Sequence, residues 1–244
     1  MLTVTETVAR LDALLDREDF EGAKALLYES LREYLAAGDT FSAIGIYNEI
    51  MGFERQYGTP EAALNAADAA LALLEERQMA VSRPAAMIVL NAATVKNYAG
   101  RDAEARALYD RAEALFSKYY PAGAKEFAGL YNNRASVYLR PGEYPKAEYY
   151  YSRALQILQR QGDVCDAAVT YINLAGLYAR WPGREKEAPG QAALAARVME
   201  IPETARSGYY YYTCRKLAAA CRELGLAEPA DHFTERADLY YAGH

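Results

Sequence analysis

Four asparagines recur at nearly equal intervals along the 244-residue chain, at positions Asn48, Asn91, Asn133 and Asn173. They are four of only seven asparagines in the sequence. Asparagine is a middling helix former, so helix propensity does not explain the recurrence. Its amide carries both a donor and an acceptor, which suits the alternating N–H and C=O groups of an extended peptide. The row therefore predicts a site that binds a peptide main chain.

A second row of side chains stands seven residues after the first, at Arg55, Tyr98, Arg140 and Arg180. Seven residues are nearly two helical turns, so on a helix both rows share one face. An arginine can hold a carboxylate through two parallel hydrogen bonds. The second row thus predicts that acidic groups on the ligand are favoured.

Each row also has an interpretation that needs no ligand. The asparagines could hydrogen-bond between neighbouring helices and serve only to stack them. The arginines fall in the last turns of predicted helices, where a cation stabilises the helix dipole and the free carbonyls. Both alternatives stay open at the level of sequence.

The elements that position these rows follow from a recurring alanine that opens the second helix of each predicted pair. It stands at Ala23, Ala62, Ala105, Ala147, Ala188 and Ala230. A second small residue follows seven positions later, at Ser30, Ala69, Ala112, Ala154, Ala195 and Ala237. A period of about 42 residues predicts stacked pairs of helices. We expect one domain over residues 1–244, with repeats at about 3–38, 39–80, 83–120, 123–161, 163–201 and 203–242.

Two turns lead to specific expectations about helix starts. Thr40 is the predicted N-cap of the helix that carries Asn48. In the fifth repeat, the Pro189-Gly190 pair would interrupt a helix, and a proline inside a helix costs about 3 kcal/mol. The sequence therefore predicts a loop over residues 181–187 and a helix that begins near Pro189.

The stretch from Tyr131 to Leu158 resembles a tetratricopeptide repeat. Its small and aromatic residues follow the order of that motif: Tyr131, Ala135, Tyr138, Ala147, Tyr151 and Ala154. It is most similar to the long repeats of kinesin light chains, and similar repeats occur in bacterial peptide-sensing regulators. The resemblance implies an all-α protein of about twelve helices in a right-handed superhelix, whose first helices line the concave side.

The resemblance extends to the asparagines. In kinesin light chains, and in the repeats of O-linked N-acetylglucosamine transferase, asparagines in this slot contact the backbone of a bound peptide. Asn133 in YNNRA, Asn91 in LNAA and Asn173 in INLA match that form, whereas YNEI around Asn48 has Ile50 in place of the small residue. Arg134 departs from the usual leucine, and the arginine row is not part of the resemblance.

Composition narrows the classes of function. The net charge is −6, and residues 1–82 alone carry 6 Lys+Arg against 15 Asp+Glu. This balance argues against a nucleic-acid partner, because phosphate binding needs a basic face. The chain shows neither a signal peptide nor an apolar run of about 20 residues, so we expect a cytoplasmic protein without a membrane contact. Cys165, Cys214 and Cys221 are expected to be buried free thiols, with no metal site.

No catalytic motif is present: we find no phosphate-binding glycine loop, no G-x-S-x-G and no H-E-x-x-H. The prediction is a protein with no enzymatic activity, no catalytic residue and no cofactor. The preferred function is a scaffold that holds an extended peptide or protein tail. One alternative is an assembly protein that forms a homodimer through the tyrosines at 209–212 or 240–241. A second is a peptide-sensing regulator without a DNA-binding segment.

Overall fold

Twelve α-helices lie in the part of the chain that the computed structural model describes, residues 2–202 and 206–241, with side chains to residue 238. In order they are α1 Val4–Leu15, α2 Phe20–Ala36, α3 Thr40–Tyr57, α4 Pro60–Glu76, α5 Arg83–Tyr98, α6 Asp102–Tyr119, α7 Lys125–Ala135, α8 Tyr144–Gln161, α9 Val164–Arg180, α10 Ala188–Val198, α11 Gly208–Glu223 and α12 Ala227–Tyr241. Short 3₁₀ turns follow α7 and precede α10. These residues contain no strand, and the predicted all-α architecture of helix pairs is confirmed.

The chain forms two compact units, one ending at Tyr120 and one beginning at Pro121. Unit 1 holds α1 to α6, and unit 2 holds α7 to α12. In each unit, α-helices pack mainly against their neighbours along the chain, as helix-pair repeats do. The single domain and the superhelical course expected from the sequence stay predictions.

Alanines at the helix crossings let the backbones approach closely, and most of the predicted ones are fully buried. Ala23, Ala105, Ala112, Ala147, Ala154 and Ala195 have no exposed surface. Repeat two differs, because Ala63 and Ala70 are fully buried there, whereas the predicted Ala62 and Ala69, one position earlier, are half-buried. Both registers place alanine at the crossing in this alanine-rich helix, so residue type could not distinguish them.

Buried charges anchor unit 1. The Glu54 carboxylate, on α3, accepts hydrogen bonds from the Tyr28 hydroxyl at 2.9 Å and the Thr59 amide at 3.2 Å, and lies 3.4 Å from Lys24 Nζ. Lys96, on α5, is 4% exposed and pairs with Asp68 at 2.6 Å and Glu104 at 3.0 Å. Burial alone would lower the pKa of Lys96, but the two carboxylates outweigh it and raise that pKa. These contacts join consecutive helices through satisfied polar groups.

Helix starts follow the local chemistry. Asp39, not the predicted Thr40, caps α3, because its carboxylate accepts from the Ser42 amide at 3.1 Å. A carboxylate at the N-terminus also interacts favourably with the helix dipole. In the fifth repeat, α10 begins at Ala188, so Pro189 lies in the first turn, where its missing N–H is not needed. That start is confirmed, although the expected loop contains a 3₁₀ turn, Glu185–Glu187.

The long fifth turn is held in place by Arg184. Its guanidinium donates to Glu187 through two 2.6 Å bonds and to Glu148, on α8, at 2.9 Å. The same group lies over the rings of Tyr178 and Trp181, 4.3 and 4.6 Å from their centroids. The Tyr178 hydroxyl donates to the Glu148 carboxylate as well. The fifth turn is therefore held against α8 and α9 by these contacts.

The Tyr178 hydroxyl gives a prediction about alkaline stability. Burial, followed by the hydrogen bond to Glu148, raises the pKa of Tyr178 to about 12, above the unperturbed value of about 10. The neutral form stabilises the fold fully below pH 10, and this contribution is lost as pH rises through 12. We expect Tyr178→Phe to lose less stability than wild type between pH 10 and 12, measured by urea unfolding. The exposed control Tyr212→Phe should follow wild type; equal pH slopes for all three proteins would contradict the prediction.

The three cysteines are buried, as the sequence predicts. Cys165, Cys214 and Cys221 are buried free thiols, and burial raises the pKa of Cys214 and Cys221 to about 11. A thiol with so high a pKa is a poor nucleophile. No helix in the described part of the chain combines the length and apolar character that crossing a membrane requires.

Candidate functional site

The first helices of unit 1 present an open surface, which we call the unit 1 face: the outward sides of α3 and α5. On α3 it carries Phe41, which is 62% exposed, and the exposed Arg55. Between them lies Gly52, where an added Cβ would meet no atom within 4 Å. The opposite side of α3 is buried, with Ile46 and Ile50 almost fully covered. The helix thus leaves space above Gly52 on its outward side.

Two predicted asparagines meet on the unit 1 face. Asn91 Nδ2, on α5, donates a 2.7 Å hydrogen bond to Asn48 Oδ1, on α3. Asn48 Nδ2 in turn donates to Glu49 Oε1 at 3.2 Å. Both asparagines are half-buried. The amides therefore link consecutive first helices, as the stacking interpretation requires, while they remain accessible from the open side.

An equivalent contact lies in unit 2, on the outward sides of α7, α9 and α11, which we call the unit 2 face. Asn173 Nδ2, on α9, donates to Asn132 Oδ1, on α7, at 3.1 Å. The partner is Asn132 and not the predicted Asn133, which is also half-buried and whose main-chain oxygen accepts from Ser136 Oγ at 2.6 Å. Asn132 could have been found from spacing, because it lies 41 residues from both Asn91 and Asn173.

The second row is less uniform than the first. Arg55, in the last turn of α3, is exposed, and Tyr98, the last residue of α5, is 56% exposed. Arg180 is exposed in the last turn of α9, but its guanidinium donates to the Gly176 carbonyl at 2.8 Å. This contact is the helix-end arrangement that the ligand-free interpretation describes. Arg140 lies beyond α7, and its Nε is 3.4 Å from Glu143.

Arg140 does not share a regular helical face with Asn133. The α-helical part of this segment ends at Ala135 and a 3₁₀ turn, Ser136–Tyr138, follows it. A 3₁₀ turn has about three residues per turn, so the seven-residue spacing no longer returns to the same side. The prediction that Asn133 and Arg140 share one helical face is therefore wrong in this repeat.

The sixth repeat adds exposed aromatic rings to the unit 2 face. Tyr209 and Tyr212, on α11, are 54% and 38% exposed, whereas Tyr210 and Tyr211 are buried. The two exposed rings stack with centroids 6.4 Å apart. Consecutive residues on a helix point in different directions, so this run of tyrosines places two rings in the core and two outside it. The side chains of Tyr240 and Tyr241, which were predicted to offer a similar surface, lie outside the described residues.

Two further contacts fix the orientation of these rings. The Tyr209 hydroxyl donates to Asp166, at the start of α9, at 2.9 Å. Lys216 Nζ lies 5.4 Å from the centroid of the Tyr212 ring. Lys216 occupies the position in α11 that the asparagines hold in the earlier repeats. The sixth repeat thus replaces an amide by a cation beside an aromatic surface.

The side chains on the two faces are hydrogen-bonding groups. The faces offer amides, arginines and tyrosines, which act as hydrogen-bond donors and acceptors. Burial is the main cause that raises the pKa of Glu49, whose carboxylate accepts a hydrogen bond from Asn48. Within residues 2–202 and 206–241, no three His, Cys, Asp or Glu side chains are grouped as metal ligands.

Comparison with known proteins agrees with the fold. A tetratricopeptide-repeat model matches residues 126–198, which contain α8, α9, α10 and most of α7. No curated protein matches the chain. Two crystal structures of a Podosopora anserina putative kinesin light chain with nearly identical TPR-like repeats, one of them a point variant, are similar to this chain. The point variant has a TM-score of 0.55 and 16% sequence identity, and the match covers 81% of this chain and 93% of that one. The other structure has a TM-score of 0.54 and 15% identity, and the match covers 81% of this chain and 94% of that one.

BtubC (BKLC) from P. vanneervenii is also similar, with a TM-score of 0.48 and 18% identity over 98% of this chain and 89% of its own. At such identities the similarity concerns the fold. Residues 126–198 match the tetratricopeptide-repeat model, and the described chain has the helix-pair fold of tetratricopeptide-like repeat proteins.

Proposed function

We propose that this protein is a non-enzymatic scaffold that binds the main chain of an extended peptide or protein tail on its first helices. The observation that carries the proposal is the hydrogen-bonded asparagine pair on each face, Asn48–Asn91 in unit 1 and Asn132–Asn173 in unit 2. All four side chains are half-buried, so they combine a fixed position with access from outside.

The pairing leaves bonding capacity for a ligand. Each amide has two N–H donors and an oxygen with two lone pairs. A pair uses one N–H and one lone pair, and the others can meet the C=O and N–H groups of an extended chain. Each such bond contributes about 0.5–1.5 kcal/mol net, because the ligand gives up bonds to water. Ordering a flexible peptide opposes this gain. We therefore expect micromolar dissociation constants.

The arginines support a preference for acidic ligands, most clearly at Arg55. Arg140 and Arg180 already have partners within the chain, Glu143 and the Gly176 carbonyl. A ligand carboxylate must compete with those contacts, so the expected gain from these two residues is smaller. Binding should weaken with salt, since exposed charges are screened. We also propose the cytoplasm as its location, because free thiols are typical of reducing compartments.

The proposal is tested with random 12-residue peptides displayed on phage. Peptides enriched on the wild-type protein are synthesised, and their dissociation constants are measured by fluorescence anisotropy. Replacing Asn132 and Asn173 together by alanine, or Asn48 and Asn91 together, is expected to weaken binding about tenfold, the equivalent of 1.4 kcal/mol. Asn65→Ala is the matched control, because Asn65 is an exposed asparagine on the second helix α4.

The outcome separates binding from stacking. Unchanged affinity in both double variants, with lowered thermal midpoints, would leave the asparagines a stacking role only. Lowered affinity with unchanged thermal midpoints would instead exclude a role confined to stacking. A further variant, Asn133→Ala, asks whether the ligand contacts the residue beside the pair. Loss of affinity in this variant would show that Asn133 contacts the ligand, as the sequence predicts. Wild-type affinity would assign the contact to Asn132.

A second candidate is a homodimer, favoured by the exposure of Tyr209 and Tyr212 on α11. Tyrosine suits interfaces because it combines an apolar ring with a polar hydroxyl. At high concentration, we expect the double variant Tyr209→Ser, Tyr212→Ser to have a lower sedimentation coefficient than the wild-type protein. A wild-type protein that sediments as a monomer at every concentration would exclude this function.

A further inference from the structure

Three polar side chains form one continuous hydrogen-bonded chain on the unit 1 face. It runs from Asn91 Nδ2 to Asn48 Oδ1 at 2.7 Å, and from Asn48 Nδ2 to Glu49 Oε1 at 3.2 Å. The chain joins two consecutive first helices and ends at a charged group. Its direction, with each donor pointing towards Glu49, is determined by the chemistry of that end.

A carboxylate accepts hydrogen bonds and cannot donate them. Asn48 must therefore turn its NH2 group to Glu49, which leaves its oxygen on the side of Asn91. Asn91 must then turn its own NH2 group to that oxygen. Reversing either amide would place two oxygens or two NH2 groups against each other. The ionised Glu49 thus selects one of the two orientations of each amide.

We propose that Glu49 is a positioning residue that fixes the orientation of the Asn48 and Asn91 amides, so that Asn91 offers its carbonyl oxygen to the N–H of a bound main chain. The part that concerns the ligand rests on the proposed function. In the described residues, Asn91 Oδ1 is not used by the pair. At Asn91, the unit 1 face therefore accepts a hydrogen bond from a ligand N–H, and this gives the bound chain a preferred direction.

Unit 2 supplies an internal control. The residue after Asn173 is Leu174, and the residue after Asn132 is Asn133, so neither amide of this pair has a carboxylate in the position of Glu49. The Asn132–Asn173 pair lacks an acceptor-only end. Its orientation is not selected by a charge, and it should not respond to ionisation of a neighbouring acid.

The surroundings of Glu49 make its ionisation measurable. Burial raises the pKa of Glu49 above its usual value, the hydrogen bond from Asn48 lowers it, and Asp12, on α1, raises it again. The net direction is upward, so Glu49 should titrate above the ordinary glutamate value of about 4.3. Bonds in a chain polarise one another, so the effect should reach Asn91 through Asn48.

The first experiment follows the side-chain NH2 signals of the ligand-free protein by NMR as the pH is lowered. We expect the Asn48 and Asn91 signals to shift together with one midpoint, and the Asn132 and Asn173 signals to stay in place. In Glu49→Gln both shifts should be lost, because glutamine does not ionise. In Asp12→Asn the joint shift should remain, with a lower midpoint. An Asn91 signal that does not move with Asn48, or joint shifts that survive in Glu49→Gln, would overturn the inference.

The second experiment uses two small amides as probes of the exposed acceptor. N-methylacetamide carries the N–H of a peptide group, whereas N,N-dimethylacetamide lacks it. We expect N-methylacetamide to shift the Asn91 signal and the effect to be lost with N,N-dimethylacetamide. In Glu49→Gln the difference between the probes should become smaller, because glutamine can donate as well as accept and no longer selects one orientation. If the two probes have equal effects while Asn48 and Asn91 still titrate together, Asn91 does not offer its oxygen to a peptide N–H. That result would overturn peptide binding on this face, and Glu49 would remain a positioning residue. Loss of the coupled titration would instead reject Glu49 itself.

Discussion

Replacing Phe116 by alanine is expected to lower the free energy of unfolding by about 3–5 kcal/mol. The ring, on α6, has no exposed surface and lies 5.1 Å from the ring of Tyr120. Its removal forfeits the transfer free energy of the side chain and leaves a cavity that neighbouring helices fill only partly. Urea unfolding followed by circular dichroism at 222 nm measures the change.

Phe41→Ala provides the matched control, since it is the same substitution on the same unit. Phe41 is 62% exposed, so the expected change is within about 0.5 kcal/mol. Equal losses in the two variants would contradict the described division between the packed core and the unit 1 face. A stable Phe41→Ala protein would then also show, in the peptide measurements, whether this exposed ring contributes to binding.

Glu54→Ala is expected to cost about 2–3 kcal/mol, because hydrogen bonds to a buried charge are strong and their donors are left without an acceptor. The donors are the Tyr28 hydroxyl and the Thr59 amide. Glu54→Gln separates this cause from packing: it keeps the shape, but its NH2 group would face one of those donors. We expect a cost in the glutamine variant too, and almost none in the exposed control Glu33→Ala.

Gly58 offers an independent check on the position of the Glu54 carboxylate. A Cβ at Gly58 would collide with that carboxylate, which bends over the end of α3 to reach Thr59. Gly58→Ala should therefore destabilise the wild-type protein and have a smaller effect in Glu54→Ala. Purely additive free energies in this double-mutant cycle would show that the two residues do not interact.

Much of the fold could be predicted because the repeated small residues report helix crossings directly. The start of α10 beside Pro189 followed from the missing N–H of proline. The register of α4 did not follow, since neighbouring alanines are chemically identical and only packing distinguishes Ala62 from Ala63. The cap of α3 was missed for a related reason: Asp39 and Thr40 both suit an N-cap, and the backbone bend before the helix selects Asp39.

The site could be predicted in part. Spacing identified the asparagine row, but it could not choose between Asn132 and Asn133, which differ by one residue in a period that itself varies. The arginine row was harder to interpret, because an arginine near a helix end has carbonyls of its own chain within reach. Arg180 binds one of them. Nor could spacing reveal that α7 gives way to a 3₁₀ turn before Arg140.

The packing of each helix mainly against its neighbours along the chain has a consequence for how fast this protein folds. Contacts between elements close in sequence require only short loops to close, and loop closure is the slow, entropically unfavourable step. Proteins rich in such contacts fold in microseconds to milliseconds. Folding can also begin at any helix pair and propagate to the next. We therefore expect a damaged pair, such as that of Phe116→Ala, to leave the pairs of the other unit able to nucleate.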